Sequence, residues 1–63
     1  MPIKSGDKFK VQGLSKIDET ISIFKNGGEY VATGTMTFNN CPTEIYVGED
    51  WISENKCTLI QKS

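Results

Sequence analysis

The sequence predicts an all-β domain of about five short strands, folded as a small barrel or sandwich. Apolar and polar residues alternate in several short runs, the period of a half-buried strand. Turn-forming Gly, Asn and Pro recur about every 8–12 residues. No apolar pattern supports a helix longer than one turn.

Ser5-Gly6 is a turn signal. After it, Asp7-Lys8-Phe9-Lys10-Val11-Gln12 sets Phe9 and Val11 on one face and Lys8, Lys10 and Gln12 on the other. Gly13-Leu14-Ser15-Lys16 breaks this strand. Over residues 17–24 the apolar positions fit two periods: Ile17, Ile21 and Phe24 suit a helix, and Ile17, Ile21 and Ile23 a strand. The β-branched run Thr20-Ile21-Ser22-Ile23 favours strand. Ser15 as an N-cap, with Asp18 and Glu19 following, supports one short helical turn. Asn26-Gly27-Gly28 is the strongest turn, since these residues tolerate positive φ.

Residues 29–39 are expected as one long strand. Tyr30, Ala32, Met36 and Phe38 share one face and Thr33, Thr35 and Thr37 the other, with Gly34 marking a bulge or bend. Asn39-Asn40-Cys41-Pro42 is the next turn. Residues 43–47 form a strand with Ile45 and Val47 inward. Gly48-Glu49-Asp50 turns again. Trp51-Ile52 leads into a short loop or 3₁₀ turn at Ser53-Glu54-Asn55, and residues 56–60 are the last strand. The expected core is Phe9, Val11, Ile21, Ile23, Val31 or its neighbours Tyr30 and Ala32, Met36, Phe38, Ile45, Val47, Ile52, Cys57 and Leu59.

The 63 residues are one domain, 1–63. An apolar share of 37%, a charged share of 24% and a net charge of -1 exclude a multidomain enzyme, a disordered acidic tail, a transmembrane protein and a strongly basic nucleic-acid binder. A chain this short builds a marginal core, which leaves few apolar residues to line an active-site cavity. All seven basic residues are lysine. Without histidine the commonest general base and metal ligand is missing, and without arginine so is the bidentate phosphate ligand. Residues 1–26 hold five lysines against three acids, and residues 27–63 two against five. There is no hydrophobic signal segment, no apolar run near 18 residues and no glycosylation sequon. The expectation is a cytoplasmic protein with Cys41 and Cys57 reduced; a bridge between them would add roughly 3 kcal/mol.

Two segments carry a family resemblance. Ile3-Lys4-Ser5-Gly6-Asp7-Lys8-Phe9-Lys10-Val11 is similar to the Gly-Asp-x-apolar-x-Val opening strand of SH3-like small β-barrels, the shape shared by SH3 and KOW-type domains. Glu49-Asp50-Trp51-Ile52-Ser53-Glu54-Asn55-Lys56-Cys57-Thr58-Leu59-Ile60 resembles their exit, where an aromatic-apolar pair, a 3₁₀ turn and a short apolar strand close the barrel. The resemblance implies a five-stranded SH3-like barrel of the kind frequent among small phage and prophage accessory proteins. Two features depart from it. The aromatic row of an SH3 ligand groove, Ala-Leu-Tyr-Asp-Tyr-like, is missing. Beside Asn26-Gly27-Gly28-Glu29, Lys25 stands alone where a KOW loop has several basic residues. The resemblance therefore implies a fold rather than an activity.

No catalytic residue, cofactor or metal site is expected. Cys41 and Cys57 without histidine make neither a zinc site nor an activated nucleophile. Glu44, Glu49, Asp50 and Glu54 match no calcium loop, and Ser5-Gly6-Asp7-Lys8 lacks phosphate-loop spacing. The chain reads as a non-catalytic binding module that docks on another protein through Tyr46, Trp51, Glu44, Glu49 and Asp50. Tyr46 lies opposite the inward Ile45 and Val47. Trp51 either plugs one end of the barrel or joins Tyr46 as an interface anchor. The acids beside them suit a basic partner. The alternative is weak nucleic-acid binding by Lys4, Lys8, Lys10 and Lys25, which salt would abolish. The alternation sets Phe9 opposite those lysines, as on an ordinary solvated strand. A third reading is a subunit that joins an oligomer through an exposed edge strand. No membrane partner is expected.

Overall fold

The computed structural model describes residues 2–63. Six strands form two antiparallel three-stranded sheets. They are β1 (Lys8–Val11), β2 (Glu29–Val31), β3 (Gly34–Met36), β4 (Glu44–Val47), β5 (Asp50–Ser53) and β6 (Cys57–Gln61). The first sheet runs β2-β1-β6 and the second β3-β4-β5. A helix, α1 (Lys16–Ile21), lies between β1 and β2, and a 3₁₀ turn, Glu54–Lys56, between β5 and β6. The all-β expectation holds. The closed five-stranded barrel does not.

The difference arises at Ala32 and Thr33, where the backbone changes partners. The Ala32 N–H donates to the Asp7 carbonyl (2.9 Å), beside β1, and the Thr33 N–H donates to the Tyr46 carbonyl (2.8 Å), in the other sheet. The expected strand 29–39 is therefore two strands in two sheets. The break also resets which side chains face inward. Tyr30 and Ala32 pack inward, but Gly34 and Met36 stand opposite Tyr46 and Glu44 on the outer face of the second sheet. Met36 and Phe38, expected in the core, are exposed.

Residues 16–21 are helix, not strand. Ser15 Oγ accepts the Asp18 N–H at 3.1 Å, and Asp18 and Glu19 sit in the first turn, where the helix dipole favours them. The cap outweighs strand propensity here, and the backbone closes on itself: the Glu19 N–H donates to the Ser15 carbonyl and the Ser22 N–H to the Asp18 carbonyl. The helix buries none of its residues: Ile17 is 71% exposed and Ile21 76%. Ile21 and Ile23 therefore leave the expected core. Phe24 enters it, edge-on to Tyr30 at 5.1 Å between ring centroids. Asn26 and Gly27 form a turn as expected, but it leads from the helix loop into β2 instead of joining two strands. Gly28 underlies Tyr30, whose hydroxyl would lie 2.7 Å from any Cβ there.

The core comprises Ile3, Phe9, Val11, Phe24, Ala32, Ile45 and Ile52, with Leu14, Tyr30, Val47, Cys57 and Leu59 packed against it. One buried group is charged. Asp7 accepts the Lys4 N–H through Oδ2 (3.0 Å) and the Ser63 N–H through Oδ1 (2.9 Å). The bond from Ser63, then that from Lys4, with nearby Lys62 adding to both, holds the carboxyl below its ordinary 3.8.

Two outcomes follow for stability. Phe24→Ala is expected to cost about 3–5 kcal/mol, as much as a core of this size supplies; circular dichroism should show no cooperative thermal transition. Because Asp7 titrates lower when folded than unfolded, its contribution is present above the unfolded pKa and disappears as pH falls through the folded one. Asp7→Asn should lower Tm at neutral pH and flatten the acid limb of the Tm–pH profile. An unchanged limb would remove Asp7 as its cause.

Candidate protein-docking surface

The β4–β5 hairpin sets the site. Val47 pairs with Asp50 across a two-residue loop in which Gly48 takes φ +64, a conformation glycine adopts without strain. This register places Tyr46 directly opposite Trp51. Ile45 and Ile52 point inward and are buried, so period-two alternation turns Tyr46 and Trp51 outward together. Trp51 is 52% exposed and plugs nothing. Tyr46 Oη donates to Glu44 Oε1 at 2.7 Å, which fixes the phenol over the sheet. That bond, with partial burial and the carboxylate charge, raises the phenol above its ordinary 10.0.

Three of the five residues expected at a protein-docking site, Glu44, Tyr46 and Trp51, thus share one face. Glu49 and Asp50 are exposed at the hairpin tip beside it. Trp51 also walls an open groove of about 370 Å³ between α1 and β5. Ile21, Phe24 and Ile52 supply its apolar lining, with Asp18 and Lys56 among its polar groups. Ile21 was a core candidate by sequence; the helical spacing of Ile17, Ile21 and Phe24 was the signal for its place here.

Two of the four lysines of the nucleic-acid alternative share one strand face. Lys8 and Lys10 do lie on the outer face of β1, opposite Phe9, but Lys8 Nζ pairs with Glu29 Oε1 at 3.2 Å, and Glu29 is also the register partner of Lys10. Lys25 Nζ donates to the Glu19 carbonyl. Lys4 is exposed in the first turn, where its N–H is held by Asp7. Cys41 and Cys57 are free thiols. Among the described residues no cluster of His, Cys, Asp or Glu is placed to hold a metal ion, and no helix is long and apolar enough to cross a membrane.

No family model, curated protein or solved structure matches this chain. The reading of the surface rests on its chemistry alone.

The two thiols should differ in reactivity. Cys41 is exposed; Cys57 is half-buried, its Sγ donates to the Ser53 carbonyl (3.4 Å), and burial with the charge of Glu54 pushes it up to about 11. A thiol reagent at neutral pH should show one fast phase, lost in Cys41→Ser, and a second only on unfolding. A fast phase that survives Cys41→Ser would place the reactive thiol at Cys57.

Proposed function

We propose that this chain is a non-catalytic binding module that docks on another protein through Trp51, Tyr46 and the groove beside them. One observation carries the reading. A domain with so few apolar residues to spare leaves Trp51 and Ile21 exposed on two sides of a single open groove. Such a patch is a place for an apolar anchor, because covering it removes both residues from water. The acids give the partner its sign: Glu44, Glu49 and Asp50 flank the aromatic pair, and residues 27–63 carry a net charge of -3. The partner is therefore a segment with an apolar or aromatic anchor and basic flanks.

An SH3-like relationship belongs with this proposal. The passage of one chain segment between two three-stranded sheets at Ala32–Thr33, and the 3₁₀ turn before the last strand, support it. So does a role as an accessory protein that modulates a larger partner, in keeping with the phage-type resemblance of the sequence.

An amide NMR titration tests the function with three probes: a short lysine-rich peptide with a central leucine or tryptophan, its glutamate counterpart, and a mixed-sequence oligonucleotide. The basic peptide should shift Ile21, Phe24, Glu49, Asp50 and the Trp51 indole, and Trp51→Ala should weaken its binding about tenfold or more, the size of a hot spot. The acidic peptide should not bind. Shifts confined to Lys4, Lys8, Lys10 and Lys25 with the oligonucleotide, fading as salt rises, would replace this proposal with nucleic-acid binding.

A further inference from the structure

We propose that two copies of this chain pair through the free edge of β3, centred on Met36, to join their second sheets into one of six strands. The two sheets have four edge strands: β2, β6, β3 and β5. An exposed edge is a template for another strand, and natural proteins guard edges with charge. Three of the four are guarded. β2 contains Glu29, β5 contains Asp50, and β6 lies between Lys56 and Lys62. β3 has no charged residue of its own, and the nearest charge on its face is Glu44 of β4, the register partner of Met36. β3 lies within fourteen consecutive uncharged residues, 30–43, in a chain that is 24% charged.

The same segment is complementary to itself. A two-fold axis at Met36, with the pairing continued past the end of β3 into residues 37 and 38, sets Met36 opposite its copy, Thr35 opposite Thr37, and Gly34 opposite Phe38. Met36 is 48% exposed and Phe38 49%. At Gly34 a Cβ would find nothing within 4 Å, so there is room above it for the Phe38 ring of the second copy. Gly34 is also the register partner of Tyr46, which would carry the apolar face onward under that ring. Threonine against threonine is a favourable cross-strand pair on the other face. No like charges meet, which is what a self-pairing interface requires. The occupant is a second copy because the segment complements itself in an isologous pair: it is uncharged from 30 to 43, and the open space at Gly34 falls opposite the exposed Phe38.

Sedimentation velocity over a concentration series tests this. The wild type should pass from monomer to dimer. Met36→Lys and Met36→Glu each bring like charges together at the axis and should stay monomeric, and an equimolar mixture of the two should dimerise. Met36 is half-exposed, so both variants should keep the dispersed amide spectrum of the wild type. Trp51→Ala should dimerise like the wild type, which keeps this surface separate from the groove. The proposal is overturned by a wild type monomeric throughout, by a Met36→Lys dimer, or by a mixture that stays monomeric.

Discussion

The carboxylate of Asp7 accepts one backbone N–H from Lys4 and another from Ser63, bonding both ends of the chain to the start of the central strand. The backbone of the same region fixes the crossing between sheets. The Gly6 N–H donates to the Ala32 carbonyl, the Asp7 carbonyl accepts the Ala32 N–H, and Ser5 Oγ donates to the Thr33 carbonyl. Ala32 and Thr33 are where the chain leaves β2 for β3. A turn near the N-terminus thus holds the C-terminus and the crossover together. A carboxylate buried without partners would cost far more than it contributes; here each oxygen of Asp7 has one.

That clasp matters because so much apolar surface lies outside the core. Ile17, Ile21 and Ile23 on and after α1, Val31, Met36 and Phe38 around the crossover, Trp51 on β5 and Ile60 on β6 are all exposed. They do not share one environment. Ile21 and Trp51 line a groove with Asp18 and Lys56 among its polar groups and further acids at the hairpin tip. Met36 and Phe38 lie in an uncharged segment. Charge selects partners mainly by excluding wrong ones, and the two surfaces differ in it: Glu49 and Asp50 lie beside the groove, and the β3 edge has no charge of its own.

Where period two had one solution, the sequence was legible. Phe9 and Val11 inside, Lys8 and Lys10 outside, Ile45 and Ile52 inside, the turn at Gly48 and the 3₁₀ turn before β6 all followed from local pattern. So did the outward placement of Tyr46. That of Trp51 did not, because residues 48–52 read as a turn leading into a loop and left Trp51 open between a barrel plug and an anchor; only β5 and its register set it opposite Tyr46. Residues 29–39 were legible only in part: Gly34 marked a bend, but alternation continues through the crossover and hides the change of sheet. Nothing in the pattern shows that the Thr33 N–H bonds to Tyr46 in place of a β1 partner, and that one bond changes whether Met36 and Phe38 are inside or out. Over residues 17–24 both periods were present, and the local signal that matches the outcome, the Ser15 cap with Asp18 and Glu19 behind it, competed with the β-branched run 20–23. The groove was illegible because it exists only where α1 lies beside β5.

The order β3-β4-β5 separates the two surfaces in a useful way. The groove borders β5 and the uncharged edge is β3, on the opposite side of β4. Neighbouring strands lie about 4.8 Å apart, so the two edges are roughly 10 Å apart across the sheet. A strand added at β3 would bring the Phe38 ring of the second copy beside Tyr46 but would leave Trp51 and the groove uncovered. Two copies joined along β3 would carry their grooves at the two outer edges of a six-stranded sheet. If both proposals hold, such an arrangement would bind a partner bearing two basic-apolar segments more tightly than either groove alone, because the second contact is made at high local concentration. For a 63-residue domain with a shallow groove, avidity is a physical route to firm binding that enlarging the core would not provide.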